Sequence, residues 1–550
     1  MTTTSTAPAA TVPARADGGE LLTATGGLLR LFLRVSRRQI LIWALAFAAL
    51  VAGSVATLED TYPDAQALQA RAALMDSPAA VMMTGPAFAL DDYTFGAMLA
   101  NELSLWVFLP AAIMSVLLVV RHTRGEEESG RLEMLRSLPV GRFAPALAAV
   151  LTVTVADLAV GAAVTGALVG TGMAVADSVA LGVATALTGL VFGAVAAVTA
   201  QLTEHARAAS GMALGAVAVA FLVRGIGDVI EPQGSWLSWL SPFAWAQQTR
   251  LYVDLRWWPL AVSALVTVLL LVLAVSLARQ RDLGAGLRPA RPGPPAASRS
   301  LLAPTGLARR LVSGTFIGWA VALFLFALAF GTLANSLEGM VADIPAVGEW
   351  IDLDLSDLTR SFAAVMLGFL AVGPAALVVS GVLQLRAEER AGRVEGLLVS
   401  GSSRTALLVR WVAVVLVETV LVQVLIGLGV GAGVALATGE AGWVGELTLA
   451  ALAHLPAILL VGALAVALYG LAPRAASLAW ALVVWVVIVA VLGDLLGLPD
   501  WARDVSPLAH TPAVPDADLA PAPLVVMAAL AALLLLAGLV GLRRRDVGAA

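Results

Sequence analysis

Long apolar stretches set the pattern of this chain. Runs of roughly 20 apolar residues recur along its 550 residues, and shorter polar segments separate them. A helix of about 20 apolar residues crosses the hydrocarbon core of a bilayer, which is about 30 Å thick. The pattern therefore predicts an all-α polytopic membrane protein with twelve transmembrane helices.

The polar segments divide the chain into four regions. Residues 1–19 are rich in Ala, Thr and Pro and are predicted to form a disordered cytoplasmic tail, and residues 20–280 form a first six-span half. Residues 281–300 are rich in Pro and Arg and are predicted to be a cytoplasmic linker, because Pro-rich segments are stiff and extended. Residues 301–550 form a second six-span half.

The distribution of arginine predicts the orientation in the membrane. Arginines occupy alternate polar segments, among them residues 30–38, 279–310 and 543–545, whereas the intervening segments are mostly acidic. Cytoplasmic loops carry the excess of basic residues, so both termini are predicted to be cytoplasmic. Residues 20–38 interleave Leu and Phe with Arg, which predicts an amphipathic helix on the cytoplasmic surface of the cell membrane.

Composition excludes several classes of protein. The chain is 60% hydrophobic and only 13% charged, whereas soluble domains carry about 25% charged residues. It has no Cys, which excludes disulfides and thiolate sites. Its 33 Lys+Arg residues are all Arg, so it lacks the Lys of a standard Walker A site, and ATP would have to be hydrolysed by another chain. We expect no catalytic residues, no metal site and no nucleic-acid partner.

Two charged segments interrupt the apolar pattern and share one motif. We call residues 121–142 the first charged loop and residues 386–404 the second charged loop. They align at an offset of 392 − 130 = 262. The candidate functional residues of the two loops are Glu126, Glu127, Gly130, Arg131 and Glu133, and Glu388, Glu389, Gly392, Arg393 and Glu395.

The repeat extends beyond the loops. Arg281 and Asp282 follow the sixth predicted span, and Arg545 and Asp546 follow the twelfth. Because each half has an even number of spans, both halves have the same orientation, as in transporters built from parallel repeats. The sequence therefore predicts a pseudo-two-fold axis along the membrane normal.

Two explanations of the charged loops stay open. They could be solvated helices that obey the positive-inside bias and were copied by duplication. That explanation accounts for arginine but not for the repeated glutamates, since acidic residues contribute little to orientation. Helices of mixed charge with an apolar edge also suit docking on another protein, which we favour.

The duplicated motif resembles the coupling loop of ABC-2-type exporter permeases. With two fused halves, the chain is most similar to the membrane subunits of polyketide- or tetronasin-type antibiotic exporters. The resemblance implies an efflux permease that works by alternating access on lipophilic, antibiotic-like compounds. It also implies two copies of a separate ABC ATPase, which dock on the two loops and bind the ATP and Mg²⁺, while this chain binds no cofactor. The second loop departs from the motif, with Gly401 in place of Pro139, so we expect unequal coupling.

A few ionisable residues within the spans are further candidates, because intramembrane charges are costly. Asp157 and Glu418 lie at nearly matching positions (418 − 157 = 261). We favour hydrogen bonds between helices over contact with a cationic substrate. Arg224 and Asp228 are spaced for an intrahelical ion pair, with a gate as the second possibility. By the resemblance, spans two, five, eight and eleven line the path, and the candidate path residues are Trp106, Met114, Asp157, Arg224 and Glu418.

Two other functions remain as alternatives. A proton-driven twelve-span secondary transporter also fits a six-plus-six duplication. It predicts functionally coupled carboxylates within the spans, whereas the acids of this chain are concentrated in the loops. A membrane-embedded transferase is a more distant alternative, since no acidic or histidine cluster is evident.

Overall fold

The computed structural model describes residues 21–288 except 76–77, 232 and 283, residues 295–332, 334, 358–492 except 400 and 402, and 498–546. The predicted tail (residues 1–19) and residues 289–294 of the predicted linker lie outside the described residues. Within those ranges, helices are the only regular secondary structure. The predicted all-α class is confirmed.

Twelve helices of the described ranges are long and apolar enough to cross a membrane, as predicted. The chain separates into two compact units, Met1–Pro292 and Gly293–Ala550, with six of these helices in each. In the first unit they are α1 (Thr25–Thr61), α2 (Phe95–Glu128), α3 (Ala144–Gly170), α4 (Val175–Leu202), α5 (Ala206–Ile230) and α6 (Trp258–Arg279). In the second unit they are α7 (Pro304–Gly331), α8 (Leu358–Arg390), α9 (Arg404–Thr438), α10 (Gly442–Leu471), α11 (Pro473–Ala490) and α12 (Pro521–Arg544).

The separate surface helix predicted for residues 20–38 is wrong. The structure has one continuous helix, α1, from Thr25 to Thr61. Residues 28–52 contain neither Pro nor Gly, so nothing in the backbone ends a helix there. The N-terminal part of α1 packs against the end of α2, where Ser36 Oγ lies 2.7 Å from His122 Nε2.

In the first unit, α4 contacts α2, α3, α5 and α6. Its small residues let these neighbours approach closely: a Cβ on Gly182 would overlap the backbone of Gly161 in α3. Small residues at helix interfaces are the usual solution in membranes, where apolar side chains gain little by leaving lipid.

In the second unit, α9 packs between α7 and α10. Four glycines, spaced two apart, serve its two neighbours alternately, because positions two apart on a helix point in nearly opposite directions. Gly427 and Gly431 face α10, and Gly429 and Gly433 face α7. This stretch of α9 is therefore closely packed on two sides.

Gly166 and Gly170 in α3 have no such packing role, because nothing lies within 4 Å of a Cβ added at either residue.

We expect Gly433→Ala and Gly166→Ala to change stability in opposite directions. A Cβ at Gly433 would overlap the carbonyl oxygen of Leu328, and overpacking costs about 1–3 kcal/mol. A Cβ at Gly166 meets open space, so the gain in helix propensity of about 0.5–1 kcal/mol remains. Thermal unfolding of the detergent-solubilised protein measures both, and equal midpoints would contradict the packing of α9 on α7.

Candidate coupling site

Both charged loops turn at a glycine. In the first loop the helix of α2 breaks at Thr123, continues over Arg124–Glu128, and restarts over Arg131–Arg136. Gly130 and Gly392 both have φ of 72°, in the left-handed region. Nothing lies within 4 Å of a Cβ added at either residue, so backbone conformation, not space, favours glycine here.

The first glutamate of each motif clamps the arginine on the far side of that glycine. Arg131 donates to both carboxylate oxygens of Glu126, at 2.7 and 3.0 Å. Arg393 makes the same bidentate contact with Glu388. These hydrogen bonds raise the pKa of Arg131 and of Arg393. The clamp joins the helix that ends before the glycine to the short helix that follows it, which is Arg131–Arg136 in the first loop and Arg393–Val399 in the second.

The second glutamate of the first motif points inward. Glu127 accepts hydrogen bonds at 2.8 and 3.0 Å from Arg281, just after the end of α6, and both side chains are only 9% exposed. Arg281 also donates to Gln201 in α4, and buried Arg124 donates to Glu127 at 2.7 Å. Glu127 is therefore fixed between two arginines.

The second unit repeats this contact. Glu389 accepts hydrogen bonds at 2.6 and 2.7 Å from Arg545, which directly follows α12. The guanidinium of Arg545 also lies over the ring of Tyr469 in α10, 5.0 Å from its centroid. Burial lowers the pKa of Arg545, but the hydrogen bond and charge of Glu389 together with Tyr469 outweigh it, so the pKa is raised overall.

A third residue at matching positions completes each contact. Arg142 at the end of the first loop donates to the backbone carbonyl of Arg281 at 3.4 Å. Arg404 at the end of the second loop donates to the backbone carbonyl of Arg545 at 2.6 Å. We call Glu127, Arg281 and Arg142 the first anchor, and Glu389, Arg545 and Arg404 the second anchor. Each anchor ties both ends of a charged loop to the end of the last span of its unit.

The predicted residues thus separate into inward and outward groups. Glu127 and Glu389 are buried in the anchors, whereas Glu133, Glu395 and the two clamping arginines are exposed. Sequence reasoning missed the apolar side chains beside them: Met134 is 67%, Leu138 58% and Val399 89% exposed. We call Met134, Leu138 and Val399 the apolar tips. In the sequence, each of them could have been recognised as a large apolar residue within a charged loop.

The two loops differ in how firmly they are held. Arg124 donates from Nε to the carbonyl of Ala200 at 3.0 Å, whereas the Nε of its counterpart Arg386 has no partner in the part of the chain that the structure describes. Glu128 accepts a hydrogen bond from the first backbone N–H of α5, and Arg390 is exposed at that position of the second loop.

The candidate path residues do not share one site. Asp157 is fully buried and accepts a hydrogen bond at 2.6 Å from Ser115 in α2, so the predicted bond between helices is confirmed. Met114 is buried, Trp106 is 58% exposed, and Glu418 is buried with no partner for Oε2 among the described residues.

Arg224 and Asp228 form the predicted ion pair in α5. Their Nη1 and Oδ2 atoms lie 3.5 Å apart, and both side chains are fully buried. Asp228 also accepts a hydrogen bond at 2.6 Å from Ser238, in the segment that follows α5. The pair therefore joins α5 to its neighbours. No group of three or more His, Cys, Asp or Glu side chains suited to a metal ion is found among the described residues.

Comparison with known proteins finds similarity along nearly the whole chain. The family model described as the C-terminal domain of the multidrug efflux system permease Rv1217c matches residues 26–279 and 301–543. The multidrug efflux system permease protein Rv1217c of Mycobacterium tuberculosis (strain ATCC 25618 / H37Rv) is 37% identical over 536 residues, which cover 96% of each chain. Both charged loops lie within the matched ranges.

We expect Glu127→Gln to destabilise the protein and Glu133→Gln to leave its stability unchanged. The first change leaves Arg124 and Arg281 buried beside a neutral amide, and breaking a buried ion pair costs about 3–5 kcal/mol. The second removes an exposed charge, for which changes stay within about 0.5 kcal/mol. Thermal unfolding in detergent measures the difference, and equal midpoints would contradict the buried anchor.

Proposed function

Because this chain belongs to the Rv1217c-type family of multidrug efflux permeases, we propose that it is the multi-pass membrane subunit of an ATP-driven exporter. Each charged loop would receive the movement of a separate ATPase copy and pass it to the last span of its unit. The further assignment to polyketide- or tetronasin-type antibiotic exporters rests on the duplicated motif and belongs to this proposal.

The repeated anchor is the observation that carries the proposal. In both units the loop binds the side chain and the backbone carbonyl of the arginine that follows the last span. An exposed ion pair transmits little force, because it is worth at most about 1 kcal/mol. These pairs are buried and bidentate, so a push on the loop would move the end of α6 or α12 with it.

The exposed side of each loop supplies the contact surface. The apolar tips lie beside exposed charges, an arrangement typical of interfaces with an apolar centre and a polar rim. The partner must bring the nucleotide site, since this chain has no lysine for a Walker A motif. ATP and Mg²⁺ would therefore bind to the partner, and two loops would take two partner copies.

The transported compound would be lipophilic. The spans present largely apolar surfaces, and three of their buried ionisable groups, Asp157, Arg224 and Asp228, make contacts within the protein. ATP-driven closure of the partner pair would shift the units between two states, a hinge-type transition. We infer alternating access on this basis.

We expect the double variant Met134→Asp and Val399→Asp to lose its ATPase partner. Removing a large apolar side chain from the centre of an interface weakens binding at least tenfold, about 1.4 kcal/mol or more. Co-purification with a co-expressed candidate ATPase subunit measures it. Folding should be unaffected because both side chains are exposed, and Asp254→Asn, in the segment before α6, serves as the control. Unchanged recovery of the ATPase would contradict docking on the apolar tips.

The energy source distinguishes this proposal from a proton-driven transporter. In proteoliposomes containing the chain and its ATPase, we expect drug transport to require ATP and to persist with a protonophore. Transport without the ATPase that collapses with the protonophore would overturn the ATP-driven proposal.

We expect the first charged loop to contribute more to transport than the second. Arg124 is bonded to the carbonyl of Ala200 while Arg386 has an unpartnered Nε among the described residues, so the first loop is held more firmly. Reversing both glutamates of the first motif (Glu126→Arg, Glu127→Arg) should reduce ATP-driven transport more than reversing Glu388 and Glu389. Measured rates would be normalised to folded protein, and equal losses would contradict the asymmetry.

A further inference from the structure

We propose that a pocket at the end of α2 opposite the first charged loop is a binding subsite for the hydroxyl end of a neutral amphipathic ligand. The subsite deepens the proposed export function and rests on it, since an exported compound is the ligand in question. Nothing in the similarity to other permeases assigns this pocket.

The pocket lies under residues 78–92, which we call the cap segment. The helix Pro78–Thr84 opens this segment, and side chains from elsewhere hold the last carbonyls of that helix. Arg224 of α5 donates to the carbonyls of Val81 (3.1 Å) and Met82. Gln247 donates from Nε2 to the carbonyl of Thr84 at 2.6 Å. The cap segment is thus fastened at its helix end.

The walls of the pocket combine apolar and polar side chains. Phe88 comes from the cap segment, Asn101 and Ser104 come from α2, and Gln247 and Leu251 precede α6. The cavity has a volume of about 20 Å³, room for one water-sized group. A cavity of that size holds one water molecule or one hydroxyl group, so the pocket receives only the hydroxyl end of a ligand.

Two buried acceptors in these walls lack donors. Asn101 Oδ1 and Gln247 Oε1 have no hydrogen-bond partner in the described part of the chain, and the two residues are only 6% and 8% exposed. Their amide donors are already used: Asn101 Nδ2 bonds to Tyr93, and Gln247 Nε2 bonds to Thr84 and Ser104. Buried acceptors without a donor are unfavourable, so a ligand that supplies an O–H would be stabilised here.

The charge around the pocket selects against cations. The guanidinium of Arg250 lies over the ring of Phe88, 4.7 Å from its centroid. The side chains that line the pocket include no carboxylate. The carboxylate of Asp254 acts on Arg250 but is paired with Arg256, so this positive charge disfavours a cationic ligand and leaves a neutral hydroxyl unaffected. The chemistry therefore favours an alcohol or phenol.

The test compares 2-naphthol, which carries an O–H donor, with 2-methoxynaphthalene, in which a methyl group replaces the hydroxyl proton. Binding to purified protein in phosphatidylcholine nanodiscs is measured by equilibrium dialysis, with empty nanodiscs subtracted. We expect 2-naphthol to bind about fivefold more tightly or better, the value of one added hydrogen bond. 2-Naphthylmethylammonium should bind more weakly than 2-naphthol.

Matched variants test whether the preference for 2-naphthol over its methyl ether arises in the pocket. Asn101→Leu removes one of the two acceptors and should reduce the preference for 2-naphthol. Gln423→Leu in α9, where Oε1 is also unpartnered among the described residues but lies outside this pocket, should retain it. Ala100→Leu fills the pocket without altering a hydrogen-bonding group and should weaken both probes, which keeps the test decisive if Asn101→Leu does not fold.

Several outcomes would overturn the proposal. It would be overturned by equal affinity for the two neutral probes or by tighter binding of the ammonium probe. It would also be overturned if Ala100→Leu left the affinity of both neutral probes unchanged, because water alone would then occupy the pocket. The binding assay contains no ATPase. A negative binding result would therefore contradict the subsite but not the proposal of ATP-driven export. Conversely, a protonophore result that contradicts ATP-driven export would leave the binding result unchanged.

Discussion

In each unit, a carboxylate that accepts hydrogen bonds from the two terminal guanidinium nitrogens of one arginine fixes the charged loop to the end of the last span. Glu127 with Arg281 and Glu389 with Arg545 are buried where apolar helices meet the polar loops. Removing such charges from water is expensive, and only close, bidentate geometry offsets that cost. The positions of the apolar tips depend on these anchors, because the clamps act only within a loop whose ends are already held.

The polar groups inside the spans follow the same physical rule. Asp157 is bonded to Ser115, and Arg224 is bonded to Asp228 and to two carbonyls of the cap segment. In an apolar surrounding an unpartnered charge is unfavourable, so these groups serve as ties between elements. The pocket under the cap segment adds two buried amide oxygens that have no donor among the described residues, and their side chains line a cavity that a ligand can enter.

The sequence predicted the helices well, because a bilayer demands about 20 apolar residues per span and each span is a local pattern. It also matched Arg281 with Arg545 and Glu127 with Glu389 by repeat. The sequence did not show that two adjacent glutamates make different contacts. Glu126 and Glu127 have the same chemistry, but as neighbours on the helix Arg124–Glu128 they point in different directions, one to Arg131 and the other to Arg281 after α6. The continuity of α1 was missed because a charge pattern alone does not end a helix.

Each anchor joins residues of a single unit. The first closes a ring from Glu127 through α3, α4, α5 and α6 back to Arg281, and the second closes the equivalent ring in the other unit. The boundary between the units, after Pro292, lies outside both rings. A chain divided there into two polypeptides would keep each ring whole. One fused gene and a pair of half-length genes would therefore encode the same two units, each with its charged loop anchored to its last span.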